Sequence, residues 1–309
     1  MKTLPLKELN KRLNADAAAE LELAEELYIR QLEKAAGAIA EGAKEKPIIL
    51  LSGPSGSAKT STAHRLKQLL GNIGVTSHVI SLDNYFLPLN GLSSEELSRI
   101  DLEAPERLDL ELLGEHLERF RECLPTQMPL FDFADQSRKS GRLFVRGENE
   151  PVILEGIHAL NPKVMGGIGE HAVGLYVSVR TRLSADGMLL HPSMIRLMRR
   201  LMRDRLFRGR KTEDIIRSFR SVQNGEEKYI MPHKGNAEID IDTFMSFEAA
   251  VYSCELLPFL KDVSPDFELY PMVEEMLGFL EQITPLSKEM VPERSIVREF
   301  VGGGFAVDG

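Results

Sequence analysis

The octapeptide Gly53-Pro54-Ser55-Gly56-Ser57-Ala58-Lys59-Thr60 constrains this chain more than any other segment. It follows the apolar run Pro47-Ile48-Ile49-Leu50-Leu51 and precedes Ala63, Leu66, Leu69 and Leu70, a helical stripe closed by Gly71. The segment matches G-x-x-x-x-G-K-[ST] everywhere except position 58, where Ala replaces the last glycine. In that pattern a strand ends, successive backbone N–H groups turn inward around a phosphate, and a helix begins with its positive dipole end at the anion. Lys59 can reach terminal phosphates and the Thr60 hydroxyl can hold magnesium. A serine- and glycine-rich turn between strand and helix is common in its own right. Here the preceding strand and the placed Lys-Thr pair favour a phosphate site. The methyl of Ala58, where glycine normally gives backbone freedom, could lower nucleotide affinity.

The surrounding pattern is that of a doubly wound α/β protein. Strands are expected at 47–52, 75–81, 151–155, 174–180 and 237–244, with helices at 59–71, 109–122, 193–207 and 212–229 between them. Such alternation predicts a parallel sheet flanked by helices, with ligands beyond the carboxyl ends of its strands. Those ends carry the Gly53–Thr60 loop, Asp83 and Glu155. Residues 1–45 read as a separate helical extension: Asn14 is the expected N-cap, and Leu21, Ala24, Leu27, Tyr28, Leu32, Ala35 and Ile39 recur at helical spacing. The α/β core is expected over 46–262. A C-terminal helical segment over 263–309 carries Val273, Met276, Leu277 and Leu280, and its tail from Gly302 to Gly304 is expected to be mobile.

Composition excludes several classes. A net charge of −9, from 38 basic and 47 acidic residues, argues against general nucleic-acid or anionic-membrane binding. Two cysteines, Cys123 and Cys254, are too few for a disulfide framework or a cysteine zinc site. With no signal peptide or membrane-length apolar run in view, the cytoplasm is the expected location.

Several polar constellations bear chemistry. Asp83 directly follows a strand, where a carboxylate could take the proton of a hydroxyl attacking a γ-phosphate and ligate magnesium; capping a turn is its alternative use. Glu155 ends the run Val152-Ile153-Leu154, where a second magnesium contact is expected and where burial without a cation would be costly. Arg196, Arg199, Arg200, Arg203, Arg205, Arg208, Arg210 and Lys211 crowd one segment, with Asp204 its only acid. A solvated face, a nucleic-acid patch and a phosphate-clamping lid compete there, and the lid fits a nucleotide-using enzyme best. Asp101, Glu103, Glu106 and Asp109 form an acidic patch that could bind sugar hydroxyls, with Asp109 also a helix cap. Phe131 and Phe133, beside Gln136 and Arg138, suit a ring-stacking pocket or plain core at strand spacing.

Together these pieces resemble the uridine kinase–phosphoribulokinase family, in particular its bacterial nucleoside kinases. Asp83-Asn84-Tyr85-Phe86, Ala104-Pro105-Glu106, Phe131-Asp132-Phe133, Leu154-Glu155-Gly156-Ile157-His158, Arg203-Asp204 and Arg208-Gly209-Arg210 carry the resemblance. It continues through Gly225-Glu226-Glu227-Lys228-Tyr229-Ile230-Met231-Pro232 to Ser295-Ile296-Val297-Arg298-Glu299-Phe300. The resemblance implies ATP- and magnesium-dependent transfer of a γ-phosphate to a primary hydroxyl. It implies Asp83 as base, Lys59 as catalytic cation, and Thr60, Asp83 and Glu155 around magnesium. Nucleotide would be held by Gly53, Ser55, Gly56, Ser57, Ala58, Lys59, Thr60 and Ser61, with Arg203, Arg208 and Arg210 in a lid. Tyr85, Glu103, Phe131, Phe133, Gln136, Arg138 and Arg200 become the acceptor-binding candidates. The pyrimidine enzymes carry Tyr at the position of Phe131 and His at that of Gln136, so uridine is a family default here. Another nucleoside, a sugar or a polyol fits the same phosphate machinery. The alternative from another class is a catalytically weak nucleotide-binding regulatory or assembly protein. Relatives are often oligomeric, and an amphipathic N-terminal helix could serve an interface.

Overall fold

The computed structural model describes residues 2–185 and 187–303, so the expected mobile tail from Gly304 onward lies outside the described residues. In chain order the strands are β1 Thr3–Pro5, β2 Ile48–Ser52, β3 His78–Ser81, β4 Thr126–Asp132, β5 Ser137–Phe144, β6 Val152–Glu155, β7 Ala172–Ser178, β8 Arg182–Ala185, β9 Met188–Leu190 and β10 Ile239–Asp242. The helices are α1 Leu6–Gly42, α2 Lys59–Asn72, α3 Ser94–Ser98, α4 Leu110–Arg121, α5 Pro162–Met165, α6 Pro192–Arg208, α7 Thr212–Tyr229, α8 Glu248–Lys261, α9 Tyr270–Leu280 and α10 Arg298–Val301.

Five strands form the expected parallel sheet, in the order β10-β7-β2-β6-β3. Its central strand β2 is apolar on both faces because both are covered: Ile48 through Leu51 are completely buried. From β2 the chain crosses to the edge strand β3, returns to β6 beside β2, and then passes to β7 and β10 on the other side, so the strand order reverses about β2 and a crevice opens above the carboxyl ends. Register brings three of those ends level, with Glu155 paired to Leu51 on one side and Ser81 on the other. Two smaller sheets were not legible in the periodicity. One is the antiparallel β4–β5 hairpin; the other joins β1 to the β8–β9 hairpin.

The N-terminal helix differs from expectation in two details. Its break falls at Asp16, in extended backbone, and the Asp16 Oδ1 accepts the Ala19 N–H at 3.0 Å. The cap is therefore two residues beyond Asn14. Leu27 lies 53% exposed, outside the stripe that buries Leu21, Ala24, Tyr28, Leu32, Ala35 and Ile39 into the core. The Tyr28 hydroxyl meets the Thr62 Oγ1 at 2.9 Å, and Thr62 donates its single proton to the Ala58 carbonyl at 2.6 Å. Tyr28 is consequently the donor, and the chain Tyr28–Thr62–Ala58 ties the long helix to the Gly53–Thr60 loop.

Two further ties come from α6. Arg199 and Glu248 are both wholly buried and paired twice, Nε to Oε2 at 2.6 Å and Nη2 to Oε1 at 3.0 Å. Arg199 Nη1 also donates to the Gly56 carbonyl at 3.0 Å, and Nη2 to the Thr243 carbonyl at 2.6 Å. One turn earlier, Arg196 forms a second bidentate pair with Glu226, at 2.6 and 2.8 Å, and donates to the Ser55 carbonyl at 2.9 Å. Glu226 returns to the loop by accepting the Ser55 N–H at 3.0 Å. Breaking a buried pair strands an uncompensated charge, whereas removing both partners is far less costly. Arg199→Met should therefore lose about 3–5 kcal/mol in denaturant unfolding, and Arg199→Met/Glu248→Leu should recover most of that. Both variants should exchange the amides of residues 55–58 faster than wild type, because the Gly56 tie is gone in each. Unchanged exchange in the double variant would show that the loop holds itself.

Candidate functional site

The Gly53–Thr60 segment forms a tight strand-to-helix loop with Ala58 in its bend. Gly53 leaves no room for a side chain, since a Cβ there would collide with the Val177 carbonyl. Gly56 has φ +73° and Ala58 takes φ 64°, ψ 39°, the left-handed conformation that a glycine would occupy. Placing a non-glycine residue there costs about 1–2 kcal/mol. Against that, Ala58 is buried, its methyl contributing about 0.8 kcal/mol, and it avoids the roughly 0.5–1 kcal/mol entropy cost of glycine. The terms nearly cancel, so the substitution leaves the loop's shape intact.

Lys59 opens α2 and its Nζ donates to the Pro54 carbonyl at 3.2 Å. Burial lowers its pKa, opposed by the negative charges of Glu155 and Asp83. The Glu155 carboxyl is pushed up to about 7, first by burial, then by Asp83, with Lys59 and the Ser81 hydroxyl pulling the other way. Burial likewise raises Asp83, against the pull of Lys59. One ammonium and two carboxylates thus share a poorly hydrated crevice, each perturbing the others. Asp83 is free for chemistry: the turn is capped by Ser81, whose Oγ accepts the Asp83 N–H at 3.3 Å. Glu155, 6% exposed, is no solvated strand end. Thr60 follows Lys59 in the first turn of α2, and Ser61 donates from its Oγ to Glu299 Oε2 at 2.5 Å. Ser57 Oγ is buried without a hydrogen-bond partner.

The basic segment separates into two populations. Arg196 and Arg199 are buried struts of the loop, as described above. Arg200, Arg203, Arg208 and Arg210 surround the fully buried Asp204 at 3.6, 3.0, 3.2 and 3.4 Å. Four guanidinium groups around one carboxylate leave an excess of positive charge, and Arg208 and Arg210 remain 56% and 37% exposed. Arg200 is more enclosed, and burial lowers its pKa.

Of the acidic patch, three members have structural partners. Asp101 accepts from the Tyr229 hydroxyl at 2.8 Å, Glu106 pairs with Lys163, and Asp109 caps α4 while holding Arg138 at 2.7 Å. Glu103 stands apart. Its side chain packs against Gly225, where an added Cβ would lie 2.5 Å from the Glu103 Cβ. Burial raises its pKa while Arg200 lowers it, and it also senses Lys59. Next to it, His158 is buried with an unpartnered Nδ1, and burial lowers its pKa to about 4. That neutral imidazole was missed in the sequence.

The aromatic candidates divide as well. Phe86, Phe131 and Phe133 form an edge-on cluster, with Phe131 buried and Phe133 57% exposed. Gln136 takes φ 55° in the hairpin turn, and its Nε2 donates one proton to the Phe133 carbonyl at 2.9 Å. Tyr85 is not brought to the crevice. It is completely buried, its hydroxyl at 3.0 Å from His116 Nδ1, within the core under α4. Among the described residues no group of three or more His, Cys, Asp or Glu gathers as a metal-ligating cluster, and no helix is long and apolar enough to cross a membrane.

Comparison with known proteins identifies the family of the chain. Residues 48–248 match the model of the Phosphoribulokinase / Uridine kinase family. A uridine kinase of Borreliella burgdorferi is 30% identical over 222 residues, 71% of this chain and 96% of that protein. A uridine kinase of Halobacterium salinarum is 30% identical over 192 residues, 62% of this chain and 77% of that protein. The matched span runs from the first residue of β2 to the glutamate that pairs with Arg199, and the chain belongs to the Phosphoribulokinase / Uridine kinase family.

Proposed function

We propose that the protein is an ATP- and magnesium-dependent kinase that transfers the γ-phosphate to a hydroxyl of a nucleoside, sugar or polyol. The observation that carries this reading is the Lys59–Asp83–Glu155 group, in which a half-buried cation and a half-buried carboxylate meet the buried carboxylate of Glu155 beside the strand-to-helix loop. A pure nucleotide binder has no use for a second buried carboxylate at the strand end.

The residues fit the absent groups. Glu155, with its pKa pushed up to about 7 by burial, lacks only a cation, and the unpartnered Ser57 hydroxyl lies within the loop. Thr60, Asp83 and Glu155 would hold magnesium, and Gly53 to Ser61 would hold the nucleotide phosphates. When bound, ATP supplies the phosphoryl group and magnesium draws charge from its oxygens. Asp83 accepts the proton of the attacking hydroxyl. Lys59 supplies positive charge where negative charge develops on the phosphate oxygens. Arg203, Arg208 and Arg210 form the lid-side clamp, and their shared hold on Asp204 keeps the guanidinium groups together. Glu103 and Arg200 are the acceptor-side polar pair, with Phe131 and Phe133 as the apolar wall.

Asp83→Asn should keep ATP binding nearly intact and reduce turnover by roughly a hundredfold or more; turnover at the wild-type level would remove Asp83 from the role. Acceptor choice should respond to the hairpin. Phe131→Tyr/Gln136→His should raise the use of uridine and cytidine relative to ribose and inositol, measured as ratios of kcat/KM. Ratios equal to wild type would take the hairpin out of base reading.

Glu155 makes a pH prediction. Its folded pKa lies above the unfolded value, so its contribution to stability is present at low pH and lost as pH rises toward about 7. Without ligands, wild type should lose stability relative to Glu155→Gln between about pH 5 and about pH 8. Parallel unfolding curves across that window would contradict the buried-carboxylate assignment.

A further inference from the structure

A cavity of about 530 Å³ opens beside the loop, and none of Lys59, Asp83 or Glu155 lines it. It lies at the carboxyl ends of β7 and β10, bounded by Ser178, Arg180 and Asp242, and reaches the start of α6 at His191 and Pro192. Pro54 and Arg196 form its wall toward the loop.

Its charge is unbalanced. Lys2, Arg180, Arg182, Arg196 and Lys234 line it, against the single carboxylate of Asp242. Two of these cations are compensated: Arg180 by Asp240 at 2.9 Å, and Arg196 by Glu226. Asp242 is already occupied by the Arg180 N–H, the Thr181 hydroxyl and the Phe244 N–H, at 2.9, 2.9 and 3.0 Å. Lys2, Arg182 and Lys234 have no carboxylate within 4.0 Å among the described residues, and the Arg182 Nε is shut off from solvent without an acceptor. Lys234 is held over the Tyr176 ring at 5.1 Å. His191 adds a donor: its Nδ1 accepts the Ser193 N–H at 3.2 Å, which leaves the proton on Nε2. Three cations without a carboxylate partner converge in a concave site, the exposed Lys2 and the half-buried Arg182 and Lys234, and the shut-off Nε of Arg182 in particular favours an anion there on a chain of net charge −9. The remaining surface is apolar, from Pro54, Val179 and Met231.

We propose that this cavity is a second ligand site, separate from the nucleotide crevice. It takes a small phosphorylated organic molecule, whose phosphate sits among Lys2, Arg182 and Lys234 and whose carbon skeleton lies on Pro54, Val179 and Met231. Because Arg196 and Pro54 are shared with the loop, occupancy bears directly on loop geometry. The inference does not depend on the catalytic reading.

Inorganic pyrophosphate is a suitable probe, with Lys59→Ala as background so that the loop contributes little. Titration calorimetry should show pyrophosphate binding to Lys59→Ala that weakens at least tenfold in Lys59→Ala/Arg182→Gln/Lys234→Gln, and weakens also with added salt. Lys59→Ala/Lys234→Gln, which changes only a partly exposed side chain, should show an intermediate loss and guards against misfolding of the triple variant. No binding to Lys59→Ala, or equal affinity in all three proteins, would overturn the proposal.

Discussion

The buried pairing of Arg199 with Glu248, repeated one turn earlier by Arg196 with Glu226, is the constraint on which the site depends. A phosphate-binding loop must aim its N–H groups inward, which leaves its carbonyls to be satisfied from behind. Arg196 takes the Ser55 carbonyl and Arg199 the Gly56 carbonyl, while Thr62, steadied by Tyr28, takes that of Ala58. Three carbonyls of the loop, those of Ser55, Gly56 and Ala58, are thus fixed by α6 and α2, and the long N-terminal helix reinforces the last of them. Ion pairs in this setting are costly to assemble, and their return is geometric definition more than net stability.

That rigidity gives the acidic crevice its character. Register places Glu155 level with Ser81 and Leu51, so the strand ends deliver carboxylates to the mouth of the loop without any loop-borne adjustment. Burial then pushes Glu155 and Asp83 toward their neutral forms and Lys59 toward its own; the repulsion of Asp83 adds to the shift of Glu155, while the attraction between Lys59 and the two carboxylates resists. A cation and a polyphosphate entering together would relieve all three. The arginines around Asp204 extend the same logic outward, because one buried carboxylate holds four positive groups close despite their repulsion.

Much of the fold was legible because the parallel sheet writes itself as short apolar runs between amphipathic helices. The four helices between the core strands fall within a residue or so of their expected limits, and all five core strands are where periodicity puts them. The two small sheets were not, since β8 and β9 are only four and three residues long and β1 gains its pairing from a segment far away in sequence. At the candidate site, Lys59 could be found from the G-x-x-x-x-G-K-[ST] spacing, and Asp83 and Glu155 because each lies at or just beyond a strand end. The roles of Arg196 and Arg199 could not: their acids, Glu226 and Glu248, lie 30 and 49 residues downstream, beyond any local spacing rule. Local pattern also overstated Tyr85, whose hydroxyl is spent on His116 inside the core. It could not show which acids of the 101–109 patch have partners, since those partners come from α5, α7 and β5.

The central claim is that the held loop and the buried carboxylates perform phosphoryl transfer. The most direct measurement incubates the protein with ATP carrying oxygen-18 on its γ-phosphate, magnesium and a mixture of nucleosides, ribose and inositols, then reads acceptors by mass spectrometry. A labelled phosphate monoester that forms in step with ADP, and disappears when magnesium is chelated, is the expected result. Nucleotide binding with neither ADP nor labelled ester would contradict it and leave a binding protein on a kinase fold.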